Sequence, residues 1–119
     1  SAKYALKNNK NIYWIFGGLP KIGDKFNLQG ISSNIIKSFI IGKKTSYFKK
    51  KIKKIIKYKI SFNLSNAIKD VFKELLLTKN NKATVLFSPA SASYDQFTNF
   101  EDRGNQFKKV TKTYVKKFL

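Results

Sequence analysis

Two segments of this sequence carry residue types suited to holding a small anion. The first is Gly17-Gly18-Leu19-Pro20-Lys21, a glycine pair followed by a cation at the exit of an apolar run. Glycine tolerates backbone angles closed to other residues, so a Gly-Gly turn can bring main-chain N–H groups close to a ligand. The second runs from Ser88 to Phe100 and reads SPASASYDQFTNF. Its small residues let the backbone approach a ligand. Hydroxyls and free N–H groups ahead of a helix suit a carboxylate. A cation and a hydroxyl-lined amide nest together fit a small molecule with two carboxylates. Each segment also has a plain structural use. The first serves as an ordinary turn between strand and helix; in the second, Ser93 and Thr98 serve as helix caps, with Phe97 and Phe100 in the core.

Other chemistries find little support in the residue types. The chain has 119 residues with no Cys and no His. A disulfide framework, a thiolate nucleophile and the commonest general base are therefore excluded. The six acids are Asp24, Asp70, Glu74, Asp95, Glu101 and Asp102, and none stands at metal-ligand spacing with a partner. Neither GxxxxGK[ST] nor GxGxxG is present, so no phosphate loop is expected. No apolar run approaches the roughly 18 residues that cross a membrane. Chemistry by this chain alone is not expected. The chain also has no Met and opens Ser1-Ala2-Lys3, which reads as a piece of something larger.

Alternating apolar runs and helical patterns must position the two segments. Asn11–Phe16 reads as a buried strand closed by Gly17-Gly18. Ile35–Ile41 (IIKSFII) reads as a second strand closed by Gly42, Tyr58–Phe62 as a third and Ala83–Phe87 as a fourth. Lys25–Ser33 reads as a weak helix or loop. Lys44–Ile56 carries Phe48, Ile52, Ile55 and Ile56 at helical spacing. Leu64, Ala67, Ile68, Val71, Phe72, Leu75 and Leu76 follow the i, i+3, i+4, i+7 pattern of an amphipathic helix, with Asn63 as its N-cap. A last helix is expected over about residues 100–118, with Phe107, Val110, Tyr114 and Phe118 on one stripe. Strands alternating with helices predict an α/β domain over residues 1–119. Its architecture is three-layered and Rossmann-like, a mostly parallel sheet with helices on both faces. In such sheets ligands bind at the carboxyl ends of the strands, where both candidate segments lie.

The formal charge of +19 admits two readings. One is a polyanion partner such as nucleic acid. The other is a solvated surface shaped by AT-rich codons, since Lys, Asn and Ile fill 48 of the 119 positions. Arg103 is the single arginine, whereas readers of nucleic acid favour arginine for its planar fork. The lysines are also spread along the chain. A specific nucleic-acid partner is therefore not the leading expectation.

The string SPASASYDQFTNFEDRGNQF, Ser88 to Phe107, closely resembles the C-terminal signature of the Mur ligase family, in its D-glutamate-adding branch. NIYWIFGGLPK, Asn11 to Lys21, resembles the strand and glycine turn that open the same domain. The resemblance implies the C-terminal, amino-acid-binding domain of a three-domain cytoplasmic enzyme of peptidoglycan precursor synthesis. ATP, with Mg, would phosphorylate the carboxylate of UDP-MurNAc-L-alanine, and the amine of D-glutamate would attack the acyl phosphate. It further implies that Lys21 contacts one carboxylate of D-glutamate and Ser93 the side-chain carboxylate. Phe100 would contribute its backbone amide, and Tyr94 would lie at the same pocket. No catalytic, metal or ATP-binding residue is assigned to this chain, because those would lie upstream. A monomer without membrane contact is expected. The loop Ile22-Gly23-Asp24-Lys25 departs from the glycine-rich or acidic form that the resemblance leads one to expect. A related ligase using another amino acid, or a basic nucleic-acid-binding module, is the alternative reading.

Overall fold

The computed structural model describes residues 2–18, 27–78 and 82–87. Among these residues four strands form one sheet: β1 (Ile12–Gly17), β2 (Ile35–Ile41), β3 (Tyr58–Phe62) and β4 (Thr84–Phe87). Their order is β3-β2-β1-β4, and every neighbouring pair is parallel. Among the described residues three helices accompany them: α1 (Ala2–Asn8), α2 (Thr45–Ile52) and α3 (Leu64–Thr78). A short 3-10 turn, Ser32–Asn34, leads into β2. The expected parallel α/β sheet with helices on both faces is what forms.

The two faces follow from side-chain alternation along β1. Every residue of this central strand is buried. Ile12, Trp14 and Phe16 point into one apolar cluster, with Leu6 of α1 and Phe48 and Ile52 of α2. There the Trp14 and Phe16 rings stack at 4.0 Å between centroids, and Phe48 meets Phe16 edge-on at 5.4 Å. Tyr13 and Ile15 point into the second cluster, under Leu64, Ala67, Ile68 and Val71 of α3. The chain steps outward from β2 to β3 through α2 on one face. It returns across the sheet to β4 through α3 on the other face. Reversing both direction and face keeps the two crossovers of one hand, as the twist of the sheet requires.

The strands at Ile35–Ile41 and Tyr58–Phe62 have the bounds expected from their apolar runs. Asn63 caps α3 as expected: its Oδ1 accepts a hydrogen bond from the Asn66 N–H at 2.7 Å. Asp70 of α3 accepts from Lys59 Nζ and Ser61 Oγ of β3, both at 2.9 Å, tying helix to strand.

The structure departs from the sequence expectation at two helices. The helix expected over Lys44–Ile56 ends at Ile52, and residues 53–56 form turns closed by Ile55 and Ile56 N–H groups on the Ile52 carbonyl. Continuing the helix would set Lys49 against Lys53 and Lys50 against Lys54, like charges at i, i+4. Helix α1, to which the periodicity gave no signal, docks through Leu6, which is 2% exposed. The segment Lys25–Ser33, expected as a weak helix or loop, is in its described part a turn, in which Ile31 and Ser32 N–H groups donate to the Leu28 carbonyl. The helix expected over about residues 100–118 lies outside the described residues.

Candidate functional site at the carboxyl edge of the sheet

The strand order reverses between β1 and β4. From β1 the chain builds one way, to β2 and β3, and then crosses back to add β4 on β1's other side. In open parallel sheets the ligand crevice lies outside the carboxyl ends of the strands at such a reversal. The β1–β4 register runs from Ile12 opposite Thr84 to Ile15 opposite Phe87. So the chain leaves β1 just past Gly17-Gly18, toward Lys21. It leaves β4 at Phe87, toward Ser93, from the neighbouring strand and the same edge. Lys21, Ser93, Tyr94 and Phe100 themselves lie outside the described residues. The structure places the roots of both candidate segments side by side.

The glycine pair is demanded by geometry. Gly17 has φ +152° and Gly18 has φ +111°. A Cβ on Gly17 would lie 1.9 Å from the Ile41 carbonyl oxygen of β2, inside any tolerable contact. Only glycine lets β1 run flush against β2 to its last residue and still turn out.

The neighbouring strand ends add a basic rim. Gly42, at φ +92°, ends β2, and its N–H donates to the Phe62 carbonyl at 2.8 Å. Lys43 and Lys44 follow, both exposed, on the strand beside β1. By sequence alone they look like any other surface lysines. The usable signal was the strand-ending glycine just before them. At the end of β3, Phe62 sits at φ +71° inside a γ-turn closed by Asn63 N–H on the Ser61 carbonyl at 2.9 Å. From residue 27 to residue 69 the sequence has eleven lysines and no acid. At this rim Lys43 and Lys44 place two exposed cations, which favour an anionic ligand. Among the described residues no group of three or more acids stands together as a metal site. Nor is any helix among them long and apolar enough to cross a membrane.

Known proteins similar in sequence include several that share one name. A UDP-N-acetylmuramoylalanine–D-glutamate ligase of Wolbachia from Brugia malayi is 40% identical over 107 residues, 90% of this chain and 21% of its own length. The ligase of the same name from Rickettsia felis is 35% identical over 114 residues, 96% of this chain and 25% of its length. That of Mesorhizobium japonicum is 38% identical over 110 residues, 92% of this chain and 24% of its length. This chain is related in sequence to these ligases. It spans about a quarter of the length of the curated relatives it matches. No protein-family model matches the chain. The similarity to the ligases covers nearly the whole chain, so it takes in both the glycine turn and the serine-rich segment.

Proposed function

We propose that this chain is the amino-acid-binding domain of a longer amide ligase, and that it holds D-glutamate at the carboxyl ends of β1 and β4. The observation that carries the reading is the adjacency of those two strand ends at the reversal of strand order. One connection bears a cation, Lys21, and the other a hydroxyl-rich segment ending at Ser93 and Tyr94. The name shared by these similar ligases supplies the amino acid, D-glutamate, and the co-substrate, UDP-N-acetylmuramoylalanine.

In this reading Lys21 pairs with one carboxylate of D-glutamate and Ser93 donates to the side-chain carboxylate. Tyr94 walls the pocket and the Phe100 amide adds a donor. Held at both ends, the amine keeps one orientation. Such positioning turns an encounter of two molecules into a local step, worth several kcal/mol and up to about 7–11 in ideal cases. The described residues do not fit ATP and magnesium. They hold no acid cluster, and the sequence has no GxxxxGK[ST] loop. Those groups, which would supply activation of the accepting carboxylate, are assigned to the remainder of the longer protein.

The test uses the full-length protein and follows phosphate release from ATP with UDP-MurNAc-L-alanine. Release is expected to depend on D-glutamate and not on L-glutamate. Ser93→Ala is expected to raise the KM for D-glutamate about 10- to 100-fold, the worth of one hydrogen bond to a charged group. Release that ignores D-glutamate, or a KM unmoved by Ser93→Ala, would overturn the reading.

A further inference from the structure

A second basic feature lies on the opposite edge of the sheet. The turns that follow α2 and the first residue of β3 line an open trough of about 470 Å³. Its walls are Lys37, Lys53, Lys54, Lys57, Tyr58 and Ile55, with Ile56 at its base. Because all strands are parallel, this is the amino edge, remote in the fold from the ends of β1 and β4. Lys37 is engaged by Glu74 at 3.0 Å. Lys53, Lys54 and Lys57 are exposed, and the ion pairs among the described residues involve none of them. Three cations crowded on one turn repel one another, and an anion between them relieves that cost.

The shape and chemistry narrow the partner. The positive stripe outruns the trough, continuing back along α2 through Lys49 and Lys50. The Lys49 ammonium lies 5.9 Å from the centre of the Tyr58 ring, so helix and trough form one surface. A stripe longer than its pocket suits a chain of anions better than a single small ion. A lipid surface fits poorly. The apolar side of α2, Phe48 and Ile52, is buried against the sheet, so among the described residues at the trough Ile55 is the exposed large apolar side chain that could enter an acyl layer. An aromatic wall beside a run of lysines is the arrangement that tracks single strands: cations meet phosphates and a ring meets bases.

We propose that this trough binds single-stranded nucleic acid, with phosphates on Lys53, Lys54 and Lys57 and Tyr58 as the aromatic wall. The inference does not rest on the ligase reading, since it uses the other edge of the sheet. The probe is a fluorescein-labelled oligo-dT 12-mer, titrated into the full-length protein and followed by anisotropy from 50 to 200 mM salt. Each phosphate contact on a single strand contributes about 0.7 to the slope of log affinity against log salt, so Lys53→Gln with Lys54→Gln should lower that slope by about 1.4. Affinity at 100 mM salt should fall about tenfold or more. Lys43→Gln with Lys44→Gln removes equal charge at the carboxyl edge and should change affinity less than threefold. Equal losses from the two pairs would mean diffuse charge attraction and overturn the proposal. So would absence of binding at 100 mM salt, or binding of vesicles containing 30% phosphatidylglycerol that the trough pair abolishes while oligo-dT binding is unchanged.

Discussion

Replacing Gly17 by alanine puts the geometry of the candidate site to a direct stability test. The added Cβ would start 1.9 Å from the Ile41 carbonyl oxygen and 2.8 Å from its carbon, and must be moved beyond 3.0 Å. That carbonyl belongs to the backbone of β2, which is hydrogen-bonded on both sides and cannot swing away like a side-chain tip. Two costs follow. Holding an L-residue at positive φ costs about 1–2 kcal/mol. Forcing a methyl group into packed backbone costs about 1–3 kcal/mol more. The sum, about 2–5 kcal/mol, is a large part of the 5–15 kcal/mol that ordinarily separates folded from unfolded chains. For a chain of this size each kcal/mol moves the melting temperature by about 4 °C, so Gly17→Ala should lower it by about 8–20 °C. Gly30→Ala provides the reference. Gly30 also has positive φ, +80°, but nothing lies within 4 Å of its would-be Cβ. It should suffer only the backbone cost, about 4–8 °C. Thermal melts of the purified chain, followed by circular dichroism at 222 nm, measure both. If the two variants melt within 2 °C of each other, the contact between β1's last residue and β2 is not what makes Gly17 obligatory, and the reasoning fails.

Two further outcomes are expected from the same melts. Ser38, fully buried in β2, has a hydroxyl with no hydrogen-bond partner among the described residues, so Ser38→Ala should raise stability by about 1 kcal/mol; a lower melting temperature would mean the hydroxyl is satisfied. Asp70 accepts both an exposed lysine and a buried serine. Asp70→Ala should cost about 2 kcal/mol and Lys59→Ala less than about 0.5, because the Lys59 side chain is 51% exposed and water screens its charge; equal losses would reverse that ranking.

What could be read in the sequence was read where one physical signal dominated. The runs IIKSFII and YKISF have no competing helical period, and α3 carries four turns of apolar spacing beneath an Asn cap. Helix α1 escaped because its single anchor, Leu6, makes no period, and its other large apolar residue, Tyr4, is 71% exposed. The end of α2 escaped because apolar spacing continues through Ile55 and Ile56, while the lysines between them oppose a further turn. At the candidate site, Gly17-Gly18 announced itself through a residue type that positive φ demands. The γ-turn at Phe62 did not, since nothing about phenylalanine suggests left-handed backbone. Strand order lies a level above both signals. It follows from which edge each crossover reaches, and no local pattern encodes that choice.

The reversal of strand order also bears on how the molecule assembles. β1 meets β2 after 23 positions, Ile12 against Ile35, but meets β4 only after 72, Ile12 against Thr84. Closing the longer loop costs about 1 kcal/mol more in chain entropy. A sheet with no hairpin among these strands recovers none of that cost locally. The proposed glutamate crevice is thus bounded by the pairing that, among the described strands, demands the longest loop closure, and its two sides are 72 positions apart in sequence.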